Sequence, residues 1–377
     1  SAATPFLLLY FLGPKIANLV PGGATLPQFI NIRYGRTAQI VVSLVAIIYM
    51  SAFLVAEFAS INFLFPSIAE VSGLRIMILV GVFTYAYLKK SGFKASYITD
   101  KFQGIGIILL LIVLFSIWFS QNSFSEIVNY SKLGGLGTFE TFSLKSALAV
   151  ILAVTAAEIF SQGYWQRTFS AKNEKTIKKA SVISAIGAFL TILLIGIAGD
   201  VGAGKGLESP TLSFIGQLDL NLFSSVLLVS LCTLLVASSI DTLENAISST
   251  ISLDLIGKGA KEAQYITLAI IHFAIFAAIY VTNIFSVFLV ADLLATCLVF
   301  PAFYKLKSKS KDHFLLVPFI FSLLSVFIYR YIFIDLTNNP GGIFIPTDLY
   351  GLADLNTFLI GFLTSIIFTF AYDKISK

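Results

Sequence analysis

Charged side chains are scarce in this sequence: they make up 12% of its 377 residues, against 57% apolar ones. So little charge, with long uncharged runs recurring from end to end, excludes an ordinary soluble domain and implies an integral membrane protein. Histidine and cysteine occur only twice each. Cys232 and Cys297 both fall inside apolar runs, where they read as inert thiols and say nothing about redox compartment. His272, alone in another such run, reads as a packed neutral side chain. Sustained alternation of apolar and polar residues with short turns is absent, which excludes a membrane β-barrel. No glycine-rich nucleotide loop points to an ATP-driven pump, and nothing in the sequence points to covalent catalysis or any enzyme activity. The basic residues are spread over short loops instead of one folded face, which excludes nucleic acid as a partner. No charged segment precedes the first apolar run, so the chain opens without a signal peptide.

What is present is a series of hydrophobic runs. A bilayer core about 30 Å thick takes roughly 20 apolar residues per helix, and by that criterion about eleven spans are expected. They run approximately Ala3 to Val20, Thr37 to Phe65, Leu74 to Leu88, Thr99 to Phe119, Ser146 to Tyr164, Thr176 to Ala198, Leu222 to Leu253, Tyr265 to Val281, Phe285 to Tyr304, Phe314 to Phe333 and Thr357 to Ala371. Threading the chain through them puts most of its 25 basic residues on one side, leaving Arg75, Lys132, Lys145, Lys205 and Arg330 on the other. The crowded side is the cytoplasmic one, with Ser1 outside and Lys377 inside. An outside start implies that at least one helix is missing ahead of Ser1.

Between the spans, Pro21-Gly22-Gly23 breaks a helix, Thr25 is placed to cap a short cytoplasmic interfacial one, and Gly35 to end it. Three external loops, roughly Gln121 to Lys145, Asp200 to Asn221 and Ile334 to Asn356, read as lids; the last contains Asn338-Asn339-Pro340-Gly341-Gly342. Inside the run from Leu222 to Ile256, a helix places Ser238, Asp241, Thr242, Asn245, Ser248, Ser249 and Ser252 on one polar stripe.

Four segments, in order and spacing, resemble the sodium:solute symporter family. They are Thr25-Leu26-Pro27-Gln28-Phe29 with Arg33-Tyr34-Gly35; Gly92-Phe93-Lys94-Ala95 with Thr99-Asp100 and Gln103; Gln166-Arg167 with Ala171-Lys172; and Ser238-Ser239-Ile240-Asp241 with Asp254. The resemblance implies an all-α integral membrane bundle of the leucine-transporter type, a five-plus-five inverted repeat forming one transmembrane domain over 1–377. What remains of the first repeat covers 1–119, the second covers about 146–305, and extra helices occupy 313–377. The first core helix is missing from this arrangement. The run Gly163-Tyr164-Trp165-Gln166-Arg167 is similar to the urea and polyamine branch of the family.

Sodium is a hard cation that takes oxygen ligands. The resemblance implies Ser238 and Ser239 as its hydroxyl donors, the Leu235 carbonyl beside them, and Asp100 as the mark of a second ion, giving one or two Na+ per cycle. Asp241 needs a partner at membrane depth, where an unpaired carboxylate costs at least about 2.5 kcal/mol. Sodium, Asp100 through a shared cation, and water are the alternatives. Glu57, Glu158 and Asp292 also fall inside spans with no evident basic partner for all three, which favours a neutral or cationic solute. Ser161 and Gln162 follow Glu158 as further solute contacts, and Phe160 and Tyr164 sit near the expected cytoplasmic exit as a gate. The expected function is sodium-coupled import of a small polar organic solute across the cell membrane by alternating access. Two alternatives stay open: a transporter-like sensor or regulatory membrane module, and a proton-coupled symporter with Asp241 or Glu158 as carrier. The lipid bilayer is the expected environment, and oligomeric state is left open.

Overall fold

In a bilayer every backbone polar group must be bonded within the protein, so apolar runs of this length become helices. The computed structural model describes residues 1–377 except 70, 139, 208–213, 258–259, 282, 335–339, 349 and 376–377. Asn338 and Asn339 of the third loop, and Lys258 and Lys377 of the basic count, lie outside the described residues. The α-helices in chain order are α1 (Thr4–Leu19), α2 (Leu26–Tyr34), α3 (Arg36–Ile68), α4 (Gly73–Ser91), α5 (Phe93–Gln121), α6 (Phe124–Leu133), α7 (Thr141–Glu158), α8 (Gln162–Phe169), α9 (Glu174–Gly204), α10 (Leu222–Ser249), α11 (Ala260–Tyr280), α12 (Ile284–Phe303), α13 (His313–Phe333) and α14 (Leu355–Ile375). Each expected span contains one long helix, and among the described residues nine helices are long and apolar enough to cross a membrane. The two spans outside that set are α1 and α4. α3 and α12 carry many buried residues and form the centre, whereas α9 presents most of its length outward.

The breaks between helices follow from local chemistry. Gly35 turns α2 directly into α3 with φ 99°, a conformation that L side chains rarely adopt. Thr25 stands at the N-cap position of α2 but does not cap it. Its hydroxyl donates to Asp254 Oδ1 at 3.0 Å, because that buried carboxylate must find donors, and Gln28 Oε1 instead accepts from the Ala24 amide at 2.9 Å. The span expected over Ser146 to Tyr164 divides after Glu158. Carbonyls freed there are satisfied by Trp165 Nε1, which donates to Ile159 O at 2.6 Å, and by Gln162 Nε2, which donates to Phe160 O at 2.9 Å. α10 does not end at Ser249 but runs on as a π-helical segment, Thr250–Ile256, closed by Gly257 in the left-handed region. π-helical turns of this kind gather at functional sites.

Two of the loops read as lids are built otherwise. The first contains α6, opened by a capping box in which Ser123 and Glu126 bond reciprocally. Those bonds hold the Glu126 carboxyl below the usual carboxylate range. α6 packs on the end of α9, where Gly134 and Gly204 let the backbones approach so closely that a Cβ at either would overlap a facing carbonyl. In the third loop, the buried Arg330 donates to the carbonyls of Gly342, Ile345 and Thr347 and to the Thr357 hydroxyl. With Asp354 at 3.4 Å, these bonds pin the segment to α13 and α14. A guanidinium with its donors engaged in this way is a fixed strut, not a hinge.

Candidate functional site

The division after Glu158 places the end of α7 and the start of α8 against α3 and α10, and a cavity of about 350 Å³ opens between them. From α3 come Tyr49, Phe53 and Glu57; from the α7–α8 junction Glu158, Ser161, Gly163, Tyr164 and Arg167; from α10 Ser238, Ser239, Thr242 and Leu243. The cavity therefore collects two predicted solute-binding carboxylates, the two predicted sodium serines, Ser161 and the gate tyrosine. Tyr49 and Phe53 form one aromatic wall, their rings 4.7 Å apart, and Phe53 continues onto Phe288 at 4.2 Å. Tyr164 closes the opposite side, edge-on to Phe6 at 5.3 Å.

Arg167 supplies the single basic group among the lining residues. Its Nη2 donates to Asp100 Oδ2 at 2.6 Å and to Thr242 Oγ1 at 3.0 Å, and its Nη1 donates to Gly163 O at 3.0 Å. The guanidinium charge is thus neutralised from behind by Asp100, which leaves Glu57 and Glu158 to set the sign of the cavity. Asp100, expected at a second sodium ion, has its carboxylate paired with Arg167.

Other expected residues lie around the cavity, not in it. Gln162 is fully buried and clamps backbone: its Oε1 accepts from the Leu26 amide at 2.8 Å while its amide donates to Phe160 O. Both ends of its amide are thereby engaged with backbone, and it is not among the cavity-lining residues. Phe160 is also fully buried, packed 6.3 Å from Phe303, and serves as core where a gate was expected. Leu235 turns a partly exposed side chain outward, and its carbonyl lies one turn ahead of Ser239. Asp292 is buried on α12 with Oδ1 unpartnered, and Tyr49 stands within electrostatic reach of both it and Glu158.

Asp241 lies on the far side of α10, fully buried, and its partners are hydroxyls. Tyr87 donates to Oδ2 at 2.6 Å, Ser96 to Oδ1 at 2.9 Å, Thr99 to Oδ2 at 3.1 Å and Thr242 to Oδ1 at 3.3 Å. Four donors reach the two oxygens, so neither is left without a partner. Sequence reasoning had offered sodium, Asp100 and water, and missed α4 and α5 as the source of hydroxyls. The lower stripe of α10 is tied to α8: Asn245 Nδ2 donates to Gln166 Oε1 at 2.9 Å, and Gln166 Nε2 donates to Ser249 Oγ at 2.7 Å. Farther on, Gln39 Nε2 at 3.3 Å joins Thr25 on Asp254 Oδ1, while Arg36 donates to the Asp254 and Leu255 carbonyls.

No family model matches the chain. Over 312 residues it is 28% identical to the spermidine transporter DUR31 of Candida albicans, covering 79% of this chain and 58% of that protein. The chain therefore spans under two thirds of that relative's length. Among solved structures it is similar to a Na+-coupled sialic acid symporter in a substrate-bound outward-open state, with a TM-score of 0.65 and 16% identity over 96% of this chain and 82% of that one. That likeness shows the fold: an all-helical, multi-pass membrane bundle of the leucine-transporter type.

Proposed function

We propose that this chain forms the transport core of a sodium-coupled symporter, not an enzyme, and that it imports a small organic cation of the amine class by alternating access. One observation carries the reading: Glu57 and Glu158 share a cavity with the rings of Tyr49, Phe53 and Tyr164, while the one lining guanidinium is already paired. Carboxylates desolvated inside a bilayer bundle attract positive charge, and aromatic faces add cation–π attraction to an ammonium group. The similarity to a spermidine transporter points the same way.

The sodium half of the reading rests on Ser238 and Ser239, which line the cavity, with the Leu235 carbonyl as a third oxygen of the same helix. Sodium held there would favour the state open to the outside, and its inward gradient would drive the solute. In this scheme the bundle has its repeats at 1–119 and about 146–305 with accessory helices over 313–377. It sits in the cell membrane with its lysine-rich loops and C-terminus in the cytoplasm.

Uptake into proteoliposomes by the full-length protein tests the whole reading. Labelled spermidine should accumulate when a sodium gradient is imposed and should not when choline replaces sodium, while labelled sialic acid should be left outside. Accumulation that ignores sodium would remove the coupling, and preference for an anionic solute would remove the amine.

A further inference from the structure

The face of α10 that carries Asp241 holds a second polar cluster, separated from the cavity by the helix itself. Glu244, one turn beyond Asp241, is fully buried. Thr84 Oγ1 of α4 donates to its Oε1 at 3.1 Å, and its Oε2 is buried with no partner. Gln103 of α5 is 6% exposed, and its Oε1 is buried and unpartnered as well. Tyr87 joins the two: its hydroxyl donates to Asp241, and it interacts with the side chains of both Gln103 and Glu244.

Two carboxylates three residues apart on one helix face are neighbours, so the cluster concentrates negative charge. Arg167 bonds Asp100 and Thr242 but neither of these acids. Asp241 is satisfied by its hydroxyls; Glu244 is not. A buried carboxylate oxygen and a buried amide oxygen, both acceptors without donors and both on side chains that Tyr87 meets, are costly in a bundle interior unless a positive charge reaches them. Every group offered is oxygen: a carboxylate, an amide carbonyl, and the hydroxyls of Tyr87 and Thr84. That set suits a hard monovalent ion and not a metal that prefers nitrogen or sulphur.

We infer that Glu244 and Gln103, with the Tyr87 and Thr84 hydroxyl oxygens, hold a sodium ion at the α4–α5–α10 junction, separate from the one assigned to Ser238 and Ser239. Six residues of helix separate Ser238 from Glu244, about 9 Å along the axis, so one ion cannot serve both. The ion bridges α5 to α10 and neutralises charge that no side chain of the cluster neutralises. The inference rests on the proposed function for its choice of sodium alone.

Equilibrium binding of radioactive sodium to the purified full-length protein tests it without reference to transport. Glu244→Gln keeps an acceptor for Thr84 and removes the charge; Gln103→Leu removes the carbonyl at similar volume. Each is expected to weaken one class of sodium site by about tenfold or more, which is about 1.4 kcal/mol, and to leave the other class intact. The pair Ser238→Ala with Ser239→Ala should do the reverse. Melting temperature without sodium confirms that the variants are folded, and the two single variants back each other if one is not. Sodium binding unchanged in both would overturn the site. So would an effect of Glu244→Gln confined to proton release, which would make Glu244 a proton carrier. Uptake indifferent to sodium alongside Glu244-dependent binding would sink the proposed coupling and leave this site standing.

Discussion

Glu57 and Glu158 reach the cavity from different helices, so each offers an ammonium group its own counter-ion. A hydrogen bond to a charged group is worth about 1.5–3 kcal/mol, so Glu57→Gln or Glu158→Gln should lower initial spermidine uptake by roughly 10- to 100-fold. Uncharged urea offered to the same variants is the control, since loss of a charge partner should leave its entry unchanged. Asp100 permits a sharper test, because it touches Arg167 and does not line the cavity. Asp100→Asn should free a positive guanidinium beside the cavity and impair cation uptake; adding Arg167→Gln should recover part of the loss. A double-mutant cycle on uptake rates measures that coupling, and simple additivity would show that the pair acts independently. This partnership was not legible in the sequence. Asp100 and Arg167 are 67 residues apart, and helical periodicity relates only residues three or four apart.

At the scale of elements, the spans themselves could be read because hydrophobic length is a direct physical requirement of the bilayer. The stripe on α10 could be read from helical periodicity, but not its division of labour: Ser238 and Ser239 face the cavity while Asp241 and Glu244 face α4 and α5. Glu244 carried its own signal, standing three residues after Asp241. α6 had one too, since Ser123 followed by Glu126 is a capping box. What no periodicity shows is where two backbones touch. Gly204 and Gly187 lie on the same helix, yet a Cβ at Gly204 would strike the Tyr130 carbonyl whereas one at Gly187 meets nothing within 4 Å. Gly204→Ala should therefore destabilise by about 1–3 kcal/mol through overpacking. Gly187→Ala should be neutral or stabilise by up to about 1 kcal/mol, because alanine is the better helix former. Thermal unfolding of the two variants in one detergent separates these outcomes, and equal shifts would contradict the close approach of α6 to α9.

For the whole molecule, the proposed transport makes the scarcity of charge a testable property. A bundle with so few charged residues places several of its acids in its interior, at Glu57, Glu158, Asp241, Glu244 and Asp292, while most of its basic residues stand toward helix ends or in the connecting segments. Moving a cationic solute together with sodium through such a bundle carries net positive charge inward. Each elementary charge crossing 100 mV is worth about 2.3 kcal/mol, so a polyamine accompanied by sodium should respond steeply to membrane potential. A potassium diffusion potential imposed with valinomycin, negative inside, should accelerate spermidine uptake at fixed sodium, and one of opposite sign should suppress it. Glu244→Gln should separate the contributions: with one sodium ion fewer per cycle, the charge moved per spermidine should fall by one while the solute's own charge still crosses. Current measured against labelled uptake in the same vesicles reads that ratio directly, and a ratio unchanged by Glu244→Gln would mean that an ion held there stays with the protein through the cycle.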